Sequence, residues 1–85
     1  MSWTLRVAKR AAKSLQRVPA RDRHRLVVAL GEMRTDPFTG DIVRLQGEQH
    51  TWRRRVGSYR IFFEVDAEGL FIDVLDIVRR SSTTY

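Results

Sequence analysis

Two periods divide the chain. Trp3-Thr4-Leu5-Arg6-Val7 alternates apolar and polar positions and opens on an aromatic residue, which predicts a short strand. Ala8, Ala11, Ala12, Leu15 and Val18 then recur at helical spacing, with Lys9, Arg10, Lys13 and Arg17 off that stripe. This predicts an amphipathic helix that ends near Pro19, because the residue before a proline is pushed out of the helical region. A second helix is expected over 20–34, with Leu26, Val27, Leu30 and Met33 as its apolar stripe. Arg21, Arg23 and Arg25 fall in its first turns, the end where the helix dipole disfavours cations. A solvated helix face accounts for them, and so does a partner that needs their charge.

Asp36-Pro37 and Thr39-Gly40-Asp41 are turn signals. Ile42-Val43-Arg44-Leu45 reads as a short strand or extended segment. From His50 the period becomes two, giving strands at about 50–56, 59–66 and 70–78. Gly57-Ser58 and Asp66-Ala67-Glu68-Gly69 separate them. Strands joined by such short turns are antiparallel. The element order predicts an α+β fold in one domain over 1–85. An N-terminal strand and a two-helix hairpin pack on one face of a small antiparallel sheet of about four strands, and the other face stays open.

A chain of 85 residues buries only about 60–65% of its unfolded surface, so its core is small. There is no cysteine, so neither a disulfide nor a cysteine-held metal braces it. That composition suits a reducing cytosol. No apolar run approaches the ~20 residues that span a bilayer. Residues 1–15 carry Arg6, Lys9, Arg10 and Lys13 among apolar positions and have no apolar signal region. A cytoplasmic location is expected.

The formal charge is +6, and of the 16 basic residues only Lys9 and Lys13 are lysine. A GC-rich genome produces such an arginine bias. The functional alternative is that guanidinium forks bind phosphate in bidentate fashion. Either way the balance favours a polyanionic partner, a nucleic acid or an acidic protein segment.

The most informative stretch is Trp52-Arg53-Arg54-Arg55-Val56-Gly57-Ser58-Tyr59-Arg60-Ile61-Phe62-Phe63. With Gly57-Ser58 as a two-residue type II′ turn, Val56 pairs with Tyr59 and Arg55 with Arg60. Arg54 then faces Ile61, Arg53 faces Phe62, and Trp52 faces Phe63. Alternation places Trp52, Val56, Tyr59, Ile61 and Phe63 towards the helices. Arg53, Arg55, Arg60 and Phe62 fall on the other face. Like charges directly across a ladder repel, so an anion docked there is stabilising. The competing explanation is a solvated cationic face countered by Glu64, Asp73 or Asp76. No acid occurs between Gln49 and Phe63. Arg54 falls on the helix-covered face, and either it snorkels to an edge or the register slips. The last strand runs into Arg79-Arg80, with Tyr85 a few residues on, where a ring can stack on a base.

These features resemble the RelE/ParE superfamily of toxins from type II toxin–antitoxin systems. The matching residues are Leu15 and Pro19 at the helix junction, Asp36-Pro37, and Leu45 with Gly47. The 52–61 block and Ile77-Val78-Arg79-Arg80 follow in order and spacing over nearly the whole chain. The resemblance implies a ribosome-dependent mRNA endonuclease of the RelE branch. There a 2′-hydroxyl attacks the adjacent phosphate in the ribosomal A site, leaving a cyclic phosphate and a 5′-hydroxyl. Carried over by position, the implied catalytic residues are Arg53, Arg55, Arg60, Arg80 and Tyr85. Arg79, Arg44, Phe62 and His50 make up the expected RNA contacts. No metal and no cofactor are called for; the implied partners are the ribosome with its mRNA and a cognate antitoxin.

One departure stands out. Better-described relatives carry lysines where this chain has Arg53 and Arg55. Arginine stays protonated and cannot serve as general base at neutral pH. The arginines are therefore assigned to charge stabilisation, and a water, an rRNA group or His50 takes the proton. Two other functions fit the same sequence: a ParE-like inhibitor of DNA gyrase, and a catalytically inert antitoxin-binding domain.

Overall fold

A computed structural model describes residues 2–45, 47 and 50–80. The elements run β1 (Thr4–Val7), α1 (Lys9–Arg17), α2 (Ala20–Thr35), β2 (Asp41–Arg44), β3 (Thr51–Val56), β4 (Tyr59–Asp66) and β5 (Phe71–Arg79). The order of elements follows the sequence pattern, and the boundaries move by one or two residues. Among the described residues no helix is long and apolar enough to cross a membrane.

The sheet has five strands in the order β1-β5-β4-β3-β2. The three central strands are antiparallel, as their short turns require. The expectation of an all-antiparallel sheet of about four strands needs one correction. β1 joins as a parallel edge beside β5, with Leu5 opposite Ile72, and β2 forms the other edge. A parallel neighbour needs a long connection, and the two helices together with three strands supply it.

Both helices cover one face. Leu26, Ala29, Leu30 and Met33 of α2 and Ala11 of α1 are buried against Ile61, Phe63, Ile72, Val74 and Ile77. The expected stripe of α2 is corrected at one position. Val27 is 51% exposed, and Ala29 takes its place in the core. The small alanine lets the helix approach the sheet closely, which an apolar count cannot foresee.

Arg54 sits on the helix face with Ile61 opposite, so the register does not slip. Nor does it snorkel. Its side chain is buried, Nη2 donating to Glu32 Oε1 at 2.6 Å and Nη1 to the Ala29 carbonyl at 3.1 Å. Gly40, with φ +84°, makes room for it: a Cβ there would lie 2.8 Å from Arg54 Nε. Gly40→Ala is therefore expected to lower stability by about 1–2 kcal/mol, from left-handed backbone strain and a displaced guanidinium, read as a shift of the urea midpoint. A midpoint equal to wild type would mean that Arg54 does not depend on this glycine.

Candidate nucleic-acid interface

The hairpin of β3 and β4 closes on Gly57-Ser58. Gly57 has φ +58°, and Ser58 is not among the residues with positive φ, the signature of a type II′ turn. The turn fixes the register over six residue pairs, from Val56 with Tyr59 to Thr51 with Glu64. Arg55 lies directly across from Arg60, and Arg53 across from Phe62. All four face away from the helices. Arg53, Arg60 and Phe62 are half-buried, and Arg55 is exposed.

Of the carboxylates near these arginines, Asp73 and Asp76 pair with other cations. Asp73 holds Arg6 across the β1–β5 pair, at 2.6 and 3.0 Å. That hydrogen bond pushes the Arg6 pKa up, with further help from the charges of Asp73 and Asp66, and Arg6 also stacks 4.0 Å from the Phe71 ring. Glu64 accepts from the Thr51 hydroxyl at 3.3 Å. Asp76 is the acid nearest in register, opposite Phe62. A bulge intervenes: Phe62 pairs with Asp76 and Phe63 with Val74, so Leu75 is the extra residue. The Asp76 carboxylate turns to α1, 3.5 Å from the Ser14 hydroxyl and 3.9 Å from Arg10 Nη1. Asp41 lies across from Arg55 on β2, yet no ion pair forms between them.

Among the described residues Arg53, Arg55 and Arg60 therefore have no carboxylate within ion-pair distance. The Nε atoms of Arg53 and Arg60 are buried without an acceptor. Buried donors are usually satisfied, and such exceptions mark strain or a missing ligand. Three permanent cations on one open sheet face, none with an ion-pair partner among the described residues, can hold an anion with several oxygens.

The other expected contacts divide. Arg80 follows β5 and donates its amide to the Ser58 carbonyl at 2.6 Å, at the tip of the hairpin. Alternation from Val78, which lies opposite Arg60, puts it on the arginine side. Arg79 pairs with Tyr59 and so falls on the helix side of the same tip. Arg44 pairs with Trp52 and shares the helix side with Ile42, away from Arg53 and Arg55. His50 precedes β3 and lines a hollow of about 460 Å³ with Glu64, Asp66, Glu68 and Asp73, an acidic setting. Five residues of extended chain put it roughly 16 Å from Arg55. Tyr85 lies outside the described residues. The expected site residues omit Arg25, whose guanidinium lies against Gly57. The available signal was the arginine run Arg21, Arg23 and Arg25 early in α2.

Comparison with known proteins adds the lineage. Residues 5–83 match the family model described as the ParE toxin of the type II toxin–antitoxin system parDE. The chain belongs to this toxin family. None of the curated proteins is significantly similar to it in sequence. Among solved structures, the toxin resembles the archaeal RelE–RelB complex from Pyrococcus horikoshii, with 23% identity, 98% and 100% of the two chains covered and a TM-score of 0.84. The RelBE2 toxin–antitoxin complex from Mycobacterium tuberculosis matches at 26% identity, 94% and 100% coverage and a TM-score of 0.79. A YoeB/ParE toxin from Agrobacterium tumefaciens matches at 20% identity, 92% and 99% coverage and a TM-score of 0.76. The toxin thus has the RelE/ParE superfamily fold, and its arginine hairpin lies on the sheet face that the helices leave bare.

Proposed function

We propose that the toxin is a ribosome-dependent mRNA endonuclease. The observation that carries this reading is the meeting of Arg53, Arg55 and Arg60 on one uncovered face with no ion-pair partner among the described residues. A scissile phosphate bridging the two strands accepts from the outer guanidinium N–H groups of Arg53, Arg55 and Arg60. The 2′-hydroxyl oxygen of the preceding nucleotide forms a bond to phosphorus, and the bond from phosphorus to the 5′-oxygen breaks. The arginines hold that phosphate in line and neutralise the charge that grows on its oxygens. They stay protonated, so water or an rRNA group takes the 2′-proton and protonates the leaving 5′-oxygen. The acidic surroundings and distance of His50 argue against it in that role.

The deciding experiment adds purified wild type to translating ribosomes with a defined mRNA and maps new 5′ ends. Ends bearing a 5′-hydroxyl are expected. Intact message with folded protein would overturn the reading. A second reading, inhibition of DNA gyrase, is favoured by the match to the ParE family model. Trapped gyrase–DNA cleavage complexes with translation untouched would establish it instead.

The partner is a cognate antitoxin, a partly disordered chain that lays a helix or strand against the toxin and covers the arginine face. The structural neighbours from Pyrococcus horikoshii and Mycobacterium tuberculosis are a RelE–RelB complex and a toxin–antitoxin complex. RNA binding should weaken steeply with salt, whereas antitoxin binding, with a larger apolar share, should weaken less. Equal slopes for the two ligands would remove that distinction.

A further inference from the structure

Arg25 belongs to no expected site, and its position is unusual. It stands in the second turn of α2. Arg23 donates to the Gln16 carbonyl at 3.3 Å and so has a local task. Arg25 has no hydrogen bond or ion pair among the described residues. It reaches the hairpin tip instead. A Cβ built on Gly57 would lie 3.1 Å from Arg25 Nη1 and 3.2 Å from Cζ and Nη2. Near-equal distances to three atoms mean that the planar guanidinium faces the glycine. A side chain at 57 would push it away.

The tip gathers charge from three segments. Arg25 comes from α2 and Arg79 from the helix side of β5, opposite Tyr59. Arg80 is held to Ser58 by its amide. Arg55 and Arg60 stand on the open side, one residue from Val56 and Tyr59, the pair that closes the turn. Cations therefore flank Gly57-Ser58 on both sides of the sheet. Among the described residues no carboxylate pairs with these arginines, and a polyanion wrapped around the tip relieves their repulsion.

The geometry points to Arg25 as a positioning residue for RNA. It takes a phosphate next to the scissile one, at the place where the strand passes from the arginine face around the glycine tip. This role rests on the endonuclease reading for its substrate, and it assigns α2 a share in a site otherwise built from the sheet. Gly57 serves twice, once for the turn and once as the flat seat of the Arg25 guanidinium.

The test uses ribosomes programmed with an mRNA carrying a 2′-deoxy nucleotide at the cleavage position, so that binding is read without cutting. Affinities are measured over a salt series for wild type, Arg25→Ala, Arg25→Lys and Arg34→Ala. The last removes an equal charge from the far end of α2. Arg25→Ala is expected to bind about tenfold more weakly, with a salt slope shallower by about 0.7, the loss of one single-strand phosphate contact. Arg25→Lys should keep the slope, and Arg34→Ala should match wild type. On cleavable mRNA, Arg25→Ala should raise KM and leave kcat unchanged, with the unfolding midpoint kept as the readout of a merely structural role. The proposal is overturned if Arg25→Ala and Arg34→Ala agree in affinity and slope, or if wild type fails to bind at all. Should wild type bind yet leave cleavable mRNA intact, the endonuclease reading fails while the binding series still decides on Arg25.

Discussion

Arg60→Ala should abolish most mRNA cleavage and leave the protein folded. Removing one preorganised donor from a developing oxyanion typically lowers kcat about 10²–10³-fold. Arg60 has the strongest claim to that effect. It is half-buried, its Nε has no acceptor, and Arg55 stands directly across from it. The same features make it dispensable for stability. Its loss breaks no hydrogen bond among the described residues and relieves a like-charge pair, so unfolding free energy should stay within about 1 kcal/mol of wild type. Kinetics on programmed ribosomes and urea unfolding of one preparation check both halves. Cleavage by the variant at the wild-type rate would remove Arg60 from the site.

Arg54→Ala should behave in the opposite way. The residue is only six positions earlier and equally cationic, yet it points to the helices. Its side chain is 9% exposed and holds Glu32 and the Ala29 carbonyl. Truncation removes both hydrogen bonds and leaves a void between α2, Gly40 and β3. Glu32 is 54% exposed, so it recovers water and moderates the loss. The Nε left without an acceptor in wild type moderates it further. A destabilisation of about 2–3 kcal/mol is expected, worth on the order of 10 °C in Tm for a chain this short. Arg54→Met keeps the packing and should lose about half as much. Below its transition the variant should cut mRNA at near the wild-type rate. A large loss of cleavage without loss of stability would mean that Arg54 belongs to the RNA site.

The contrast between these two arginines shows where sequence reading works. The pairing of β3 with β4 followed from one local fact, the glycine at the first position of a two-residue turn. Every pair from Val56 with Tyr59 outward obeys it. The faces of Arg53, Arg55 and Arg60 came with the register, because alternation leaves no choice. The fate of Arg54 did not, since its partner Glu32 lies 22 residues earlier on another element and depends on the rotation of α2. The apolar pattern puts Val27 inside; alanine is too weak a hydrophobic marker to reveal that Ala29 faces the sheet.

Other features depend on contacts between distant segments. The parallel seat of β1 beside β5 joins opposite ends of the chain, and no local pattern announces it. Asp76, a possible counter-ion by sequence, shares the helix side with Ile72 and Val74, and its carboxylate meets Ser14 and Arg10 of α1. Arg44, an expected RNA contact, pairs with Trp52, which sends it to the helix side. In each case a tertiary contact decides what spacing leaves open.

That one phosphate engages arginines from both strands is tested most directly by a double-mutant cycle between Arg53 and Arg60 in kcat/KM on programmed ribosomes. Residues that grip a common group are non-additive, with coupling of about 0.5–3 kcal/mol. The expected result is a double variant markedly less impaired than the product of the two single losses. Strict additivity, within about 0.5 kcal/mol, would mean that the two guanidinium groups act on separate anions.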